Sequence, residues 1–216
     1  MKILQCWDDG VTSDIRLCEL LRQHGAKASF NLNLGLHSLQ RGNGWNHEGH
    51  DVLRLARTEL TSVYTGFTIA NHTLTHPYLT ELDEQTIEHE VSDGRKQLQD
   101  VFNQPVYGFV HPFGRYDNRV LDAVLKSGHL YARAEGNAVQ NFPPDDPLEF
   151  RSTCHFLSPH FWQLYEQSKE IGVFYFWGHS FEMINEHMWH QFEQTLIRIN
   201  EDADAEWADI PELFMN

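Results

Sequence analysis

Lys2-Ile3-Leu4-Gln5-Cys6-Trp7 runs without a break into Asp8-Asp9-Gly10, and Thr12-Ser13-Asp14 then offers caps for Ile15, Leu17, Cys18, Leu20 and Leu21 before Gly25. An apolar run that ends in a turn and leads into a capped, helix-spaced stretch predicts strand, turn, helix. The unit recurs. Strands are expected at Lys27–Leu34, Gly66–Asn71, Val106–Val110, Leu130–Ala134, Phe150–Phe156 and Val173–Trp177. Helices are expected at Asp51–Leu60, Asp83–Phe102, Asp117–Lys126, Pro159–Lys169 and Glu186–Asn200. The Gly-rich stretch from Gly42 to Gly49, with Trp45, His47 and His50 in or beside it, reads as a long surface loop, and Pro143, Pro144 and Pro147 mark another.

Regular strand and helix alternation implies a parallel sheet, because parallel neighbours need crossover helices. About seven such units in 216 residues fall short of the ~250 residues of a full eight-unit barrel. The expected α/β fold is therefore a distorted or incomplete (β/α) barrel with about seven parallel strands, built as one domain over residues 1–216. In such a barrel the reacting side chains follow the C-terminal ends of strands. Asp8 and Asp9, His72 and His76, His111 to Tyr116, and His179 all fall there.

The net charge of −15 opposes nucleic acid or an anionic membrane as partner, since either requires clustered Lys and Arg, and the longest basic cluster is Arg95-Lys96. Cys6, Cys18 and Cys154 form no C-x-x-C pair and leave an odd count, which speaks against a secreted disulfide framework. Met1-Lys2-Ile3-Leu4 enters the first strand directly, leaving no room for a signal peptide, and no apolar stretch approaches the roughly 20 residues that span a bilayer. A cytoplasmic location is the expectation.

Asp8-Asp9 places two carboxylates side by side at a strand end, where one can bind a metal while the other serves as a base; taken alone, D-D-G is also an ordinary turn. His72-Thr73-Leu74-Thr75-His76 can converge two imidazoles on one ion if the segment makes a single turn, although 14 histidines make a chance pair unsurprising. The pairs His47/His50, His155/His160 and His187/His190 read as loop or helix-surface histidines. His179 emerges from the apolar run Gly172–Gly178, where an imidazole can protonate a leaving group or simply fill a core hydrogen bond.

Cys6-Trp7-Asp8-Asp9-Gly10, Asn71-His72-Thr73-Leu74-Thr75-His76-Pro77, His111-Pro112-Phe113-Gly114-Arg115-Tyr116-Asp117 and Trp177-Gly178-His179, in that order, resemble the polysaccharide deacetylase family, the carbohydrate esterases that include chitooligosaccharide deacetylases. The resemblance runs from about residue 1 to residue 200, and Gly25-Ala26-Lys27-Ala28-Ser29-Phe30 is similar to the family's second strand. It implies a distorted (β/α) barrel holding one divalent metal, usually zinc, through Asp9, His72 and His76. It further implies Asp8 as general base and His179 as general acid, with a backbone N–H near Phe113 facing the oxyanion. The sugar groove would be lined by Pro112, Phe113, Gly114, Arg115, Tyr116 and Trp177. The implied activity is removal of N-acetyl groups from an N-acetylated saccharide.

Two family features are absent. The Arg that orients the base is replaced by Val110, for which Arg115 or Arg151 are candidate substitutes, and the Asp-Trp motif that tunes the acid histidine has no counterpart unless Glu182 or His155 serves. Trp7, Trp45, Tyr116 and Trp177 are candidates for stacking on sugar faces, against core packing as the alternative. A two-histidine, one-carboxylate set also suits a non-haem iron oxygenase, but an oxygenase has no use for the spare Asp8. A glycan-binding module without turnover, or a hydrolase of another C–N bond in a small metabolite, are the other readings.

Overall fold

The computed structural model describes residues 1–137, 139 and 141–215. The strands are β1 Lys2–Asp8, β2 Ser29–Leu32, β3 Gly42–His47, β4 His50–Arg54, β5 Thr68–Asn71, β6 Gly108–Val110, β7 Tyr131–Asn137, β8 Phe150–Ser152, β9 Cys154–His155, β10 Val173–Gly178 and β11 Glu206–Trp207. The α-helices are α1 Asp14–Gln23, α2 Leu60–Val63, α3 Glu84–Glu88, α4 Gly94–Phe102, α5 Asn118–Lys126, α6 Phe161–Ser168 and α7 Glu186–Glu201. The main sheet runs β8-β7-β6-β5-β2-β1-β10-β9, with β11 beside the start of β1. Every ladder in it is parallel.

Strands β8 and β9 stand at the two ends of that path, yet only Thr153 separates them in sequence. The path must therefore curl back on itself, giving a nearly closed (β/α) barrel of eight strands, where the alternation had suggested about seven. The difference arises because the expected strand at 150–156 is two strands, β8 and β9, that pair with opposite ends of the sheet.

Side-chain alternation splits the core into two layers. Ile3, Trp7, Phe174 and Phe176 pack outward with residues of the helices, including Leu17 and Leu21 of α1 and Phe192 and Leu196 of α7. Leu4, Cys6 and Tyr175 point the other way, into a cluster with Tyr131 and Phe150 that Ala208 and Ile210 join. The barrel interior is thus filled below the rim where the strands end.

Two sequence expectations fail between β2 and β5. Residues 42–49 are no loop, and 51–60 is not a helix: β3 and β4 form an antiparallel hairpin, with Trp45 opposite Val52 and His47 opposite His50. Glu48 (φ 47°) and Gly49 (φ 84°) make its two-residue turn, both left-handed as the tight hairpin turn requires. Only Leu60–Val63 is helical in that region. The helix expected at 83–102 is interrupted by a π-helical turn at His89–Asp93.

Candidate active site

The site is assembled at the C-terminal ends of β1, β5, β6, β7 and β10. Asp8 closes β1 and is buried, and the chain then turns through Asp9 (φ 83°) and Gly10 (φ 67°). Left-handed backbone at a non-glycine residue is costly and is held only where the surroundings enforce it. Gly10 must be glycine on a second count, since a Cβ there would lie 2.6 Å from Cε1 of His37. The turn separates the two carboxylates into different environments.

Asp8 accepts from Arg133 Nη2 at 2.6 Å and Nη1 at 3.2 Å, and from Asn31 Nδ2 at 2.6 Å. Burial works to raise its carboxyl, but Arg133 first, then His72 and His179, hold it well below the usual carboxylate range. Asp8 is therefore ionised. Arg133 is the residue that sequence reasoning missed; neither Arg115 nor Arg151 takes the place. It pairs in register with Val110 on the neighbouring strand, so the guanidinium arrives at the same level of the barrel from one strand over. Asp9 is held differently: Arg54 of the hairpin donates to its backbone carbonyl and keeps 3.5 Å from Oδ1, leaving the carboxylate loosely engaged.

The histidine turn follows β5. Thr73 (φ 68°) and His76 (φ 58°) are left-handed. Asn71 Oδ1 accepts from the Thr73 N–H at 3.1 Å while its Nδ2 donates to the Val91 carbonyl at 2.8 Å. The Thr75 hydroxyl and N–H both donate to buried Glu90, at 2.6 and 2.9 Å. Glu90 and Val91 lie in the π-helical turn, so that irregularity aims two supports at the histidine segment. The His72 and His76 rings then stand 4.6 Å apart at 78°. His72 Nδ1 donates to the Val110 carbonyl at 2.8 Å, which fixes the tautomer and leaves Nε2 as the free lone pair.

One donor atom each from Asp9, His72 and His76 lies within 4.8 Å of the others. Burial, reinforced by the neighbouring His76, pushes the His72 imidazolium down to about 3, and burial lowers His76 as well. Two neutral imidazoles and one carboxylate, with the first imidazole locked by its other nitrogen, fit a divalent metal such as zinc.

His179 stands across from them, Nε2 3.8 Å from Asp8 Oδ2 and 3.9 Å from Asp9 Oδ2. Its Nδ1 donates to Glu182 Oε2 at 3.2 Å, and His155 Nε2 donates to the same oxygen at 2.9 Å. Burial alone would lower the His179 pKa, but the bond to Glu182 and the charges of Asp8 and Asp9 raise it above its ordinary value. His155 is thus no surface histidine but part of the support for His179. His155, His179 and Glu182 also have metal-compatible spacing. Glu182 Oε2 already accepts from both rings and from the His179 N–H, so hydrogen bonds account for the cluster.

A cavity of about 560 Å³ opens over these groups. Of the residues expected to line a sugar groove, Phe113, Gly114 and Trp177 do so. Pro112 is buried, Arg115 lies over the Tyr78 ring at 5.2 Å, and Tyr116 turns away to donate to Glu149 and stack on His111 at 4.7 Å. Trp45 lines the cavity, whereas Trp7 is fully buried in the core.

Fold and geometry define a class: barrel proteins that set a two-histidine, one-carboxylate triad beside an ionised Asp and a His tied to a half-buried glutamate. The sequence pattern of one family, polysaccharide deacetylase, matches residues 1–132, more than half of the chain, and the chain belongs to that family. The chitooligosaccharide deacetylase of Azorhizobium caulinodans is 28% identical over 128 residues, 56% of this chain and 52% of that protein. The chain spans about half the length of the curated relatives it matches. Among solved structures, a CE4 family pseudoenzyme from Bacillus anthracis superposes over 99% of this chain and 65% of its own, with a TM-score of 0.63 at 14% identity. A family 4 carbohydrate esterase from Streptomyces lividans in complex with acetate covers 96% and 91%, with a TM-score of 0.57 at 15% identity. Both likenesses establish the barrel. Among the described residues, no helix is long and apolar enough to cross a membrane.

Proposed function

We propose that this chain is a single catalytic domain that hydrolyses N-acetyl groups on a saccharide, with a divalent metal, foremost zinc, held by Asp9, His72 and His76. The observation that carries the reading is the position of His179, whose Nε2 lies under 4 Å from both Asp8 and Asp9, the carboxylate of the donor triad, while Nδ1 is tied to Glu182. An acid and a base with opposite protonation preferences flank one metal-type triad. The ion would supply Lewis-acid polarisation of the acetyl carbonyl and lower the pKa of water beside it.

The chain's own residues then divide the proton work. Asp8, ionised and held by Arg133 and Asn31, accepts a proton from the attacking water as the new C–O bond forms. The Phe113 N–H, in a residue that lines the cavity and holds left-handed backbone (φ 55°), would donate to the developing oxyanion. His179, protonated, gives its proton to the amide nitrogen as the C–N bond breaks, because an amide nitrogen leaves poorly as an anion. The products are acetate and a free amino sugar. Three free, buried cysteines agree with action in a reducing compartment.

The reading is tested by acetate release from a panel of N-acetylated sugars, by wild-type protein with zinc, the same protein after chelation, and His72→Ala. We expect release with zinc and none from the other two. Stoichiometric zinc binding without acetate from any compound would overturn it and leave a glycan-binding module or a hydrolase of another C–N bond.

A further inference from the structure

The turn after β6 is left-handed twice in succession, at Phe113 (φ 55°) and Gly114 (φ 67°). Glycine adopts that backbone freely, whereas phenylalanine keeps it only where its surroundings impose it. The turn's own hydrogen bonds run from the Gly114 N–H to the His111 carbonyl at 2.9 Å and from the Arg115 N–H to the Pro112 carbonyl at 3.1 Å. Neither uses the N–H of Phe113. A further constraint falls on its side chain. Phe113 is 45% exposed, yet its ring meets His76 edge-on at 4.5 Å and lies flat against Tyr78, with centroids 3.9 Å apart and planes at 13°. The Arg115 guanidinium stands 5.2 Å from the centre of the same Tyr78 ring. Residues on both sides of Gly114 therefore grip one ring supplied by the segment after β5.

That segment is anchored without the ring. Arg119, at the start of α5, donates to the carbonyls of Thr80 at 3.0 Å and Leu82 at 2.9 Å and pairs with Asp117 at 2.7 Å. The Glu81 N–H donates to the Tyr78 carbonyl at 3.0 Å. Loss of the Tyr78 ring thus removes the stack and leaves the loop in place. An aromatic pair of this kind shifts an equilibrium by about two- to tenfold, enough to matter at one strained residue.

We propose that Tyr78 is a positioning residue: its ring pins the Phe113 side chain and so holds the Phe113 N–H where the oxyanion forms. The inference rests on the deacetylase reading for the role of that N–H and on the stack for its geometry. The test compares zinc-loaded wild type, Tyr78→Ala and Tyr78→Phe. Acetate release from an N-acetylglucosamine oligomer, zinc affinity, and the amide NMR signal of Phe113 with and without added acetate are measured for each. Removing an oxyanion donor outright costs about 10²–10³ in kcat, and a donor present but unpinned loses part of that. Tyr78→Ala is expected to lower kcat about tenfold with KM and zinc affinity unchanged, because the N–H engages the transition state alone. It should also move the Phe113 amide signal and weaken its response to acetate. Tyr78→Phe keeps the stack and should match wild type in all three. A Tyr78→Ala protein with wild-type kcat or an unmoved Phe113 signal would overturn the proposal. So would zinc affinity that falls in step with kcat, since that places the effect on His76. If wild type releases no acetate from any oligomer, the deacetylase reading alone fails, and the Phe113 signal still shows whether Tyr78 holds that residue.

Discussion

Arg133 and Asp8 form an ion pair almost wholly withdrawn from water, with side-chain exposures of 9% and 3%. Removing one partner strands a buried charge, which costs about 3–5 kcal/mol, whereas removing both does not. Arg133→Ala is therefore expected to lower the unfolding free energy by about that much, and Arg133→Ala with Asp8→Asn to recover most of it. Equal losses in the single and double variants, measured by urea unfolding, would contradict the pairing. Asp14 carries a second residue-scale prediction. Its buried carboxyl accepts from Tyr64 at 2.6 Å and from Ser180, and burial outweighs those bonds to raise its pKa from 3.8 to about 7. Between these values the folded form keeps a proton that the unfolded chain has released, so stability is lost as pH rises and the loss is complete above about 7. Against Asp14→Asn, wild type should lose on the order of a few kcal/mol between pH 5 and pH 8. A constant difference across that range would refute it. Asp8, Asp9, His72 and His179 follow apolar runs and His76 stands four residues beyond His72, but it is the joint order of these motifs, resembling the deacetylase pattern, that made them legible as candidates in the sequence. Arg133 was not, because its contact with Asp8 depends on a neighbouring strand's register with Val110.

The helix that follows the histidine turn shows an element built to serve another. Gly94 has ordinary helical angles, so alanine there would normally favour the helix by about 1 kcal/mol. A Cβ at that position would nevertheless lie 2.7 Å from Asn71 Oδ1 and 3.3 Å from the backbone of Thr73 and Leu74. Gly94→Ala is thus expected to weaken zinc binding by about 10–100-fold, the scale of lost support behind metal ligands, with helix content retained. Unchanged affinity in a zinc titration would show that the turn does not depend on this close approach. The periodicity of residues 83–102 announced a helix but not its π-helical turn, since one inserted residue leaves the apolar spacing almost intact. The hairpin was missed for a different reason: its turn is Glu48-Gly49 in place of Asn-Gly, and its glycines mimic a loop. What fixes β3 and β4 is contact with β1's exit loop, which local sequence does not encode.

At the scale of the molecule, β8 and β9 bring the two ends of the sheet path to a single linking residue, Thr153, and the Asp9, His72 and His76 triad is drawn from the end of β1 and the turn after β5. Metal that binds only the folded chain stabilises it by mass action. Zinc at about 100 times its dissociation constant should raise the unfolding free energy by about 2.7 kcal/mol, and His72→Ala should abolish most of the increment; equal stabilisation of both proteins would place the metal elsewhere. Strand and helix alternation gave the barrel class, but not its closure, because the break at Thr153 lies inside the short stretch Phe150–Phe156, which reads as one strand. The central claim, that Asp8 is the base of a metal-dependent deacetylation, is tested most directly by acetate release from an N-acetylglucosamine oligomer, comparing wild type with Asp8→Asn at equal, directly measured zinc content. Loss of about 10²–10⁴-fold in kcat with zinc stoichiometry unchanged is the predicted result; an Asp8→Asn protein that holds zinc and turns over at the wild-type rate would contradict it.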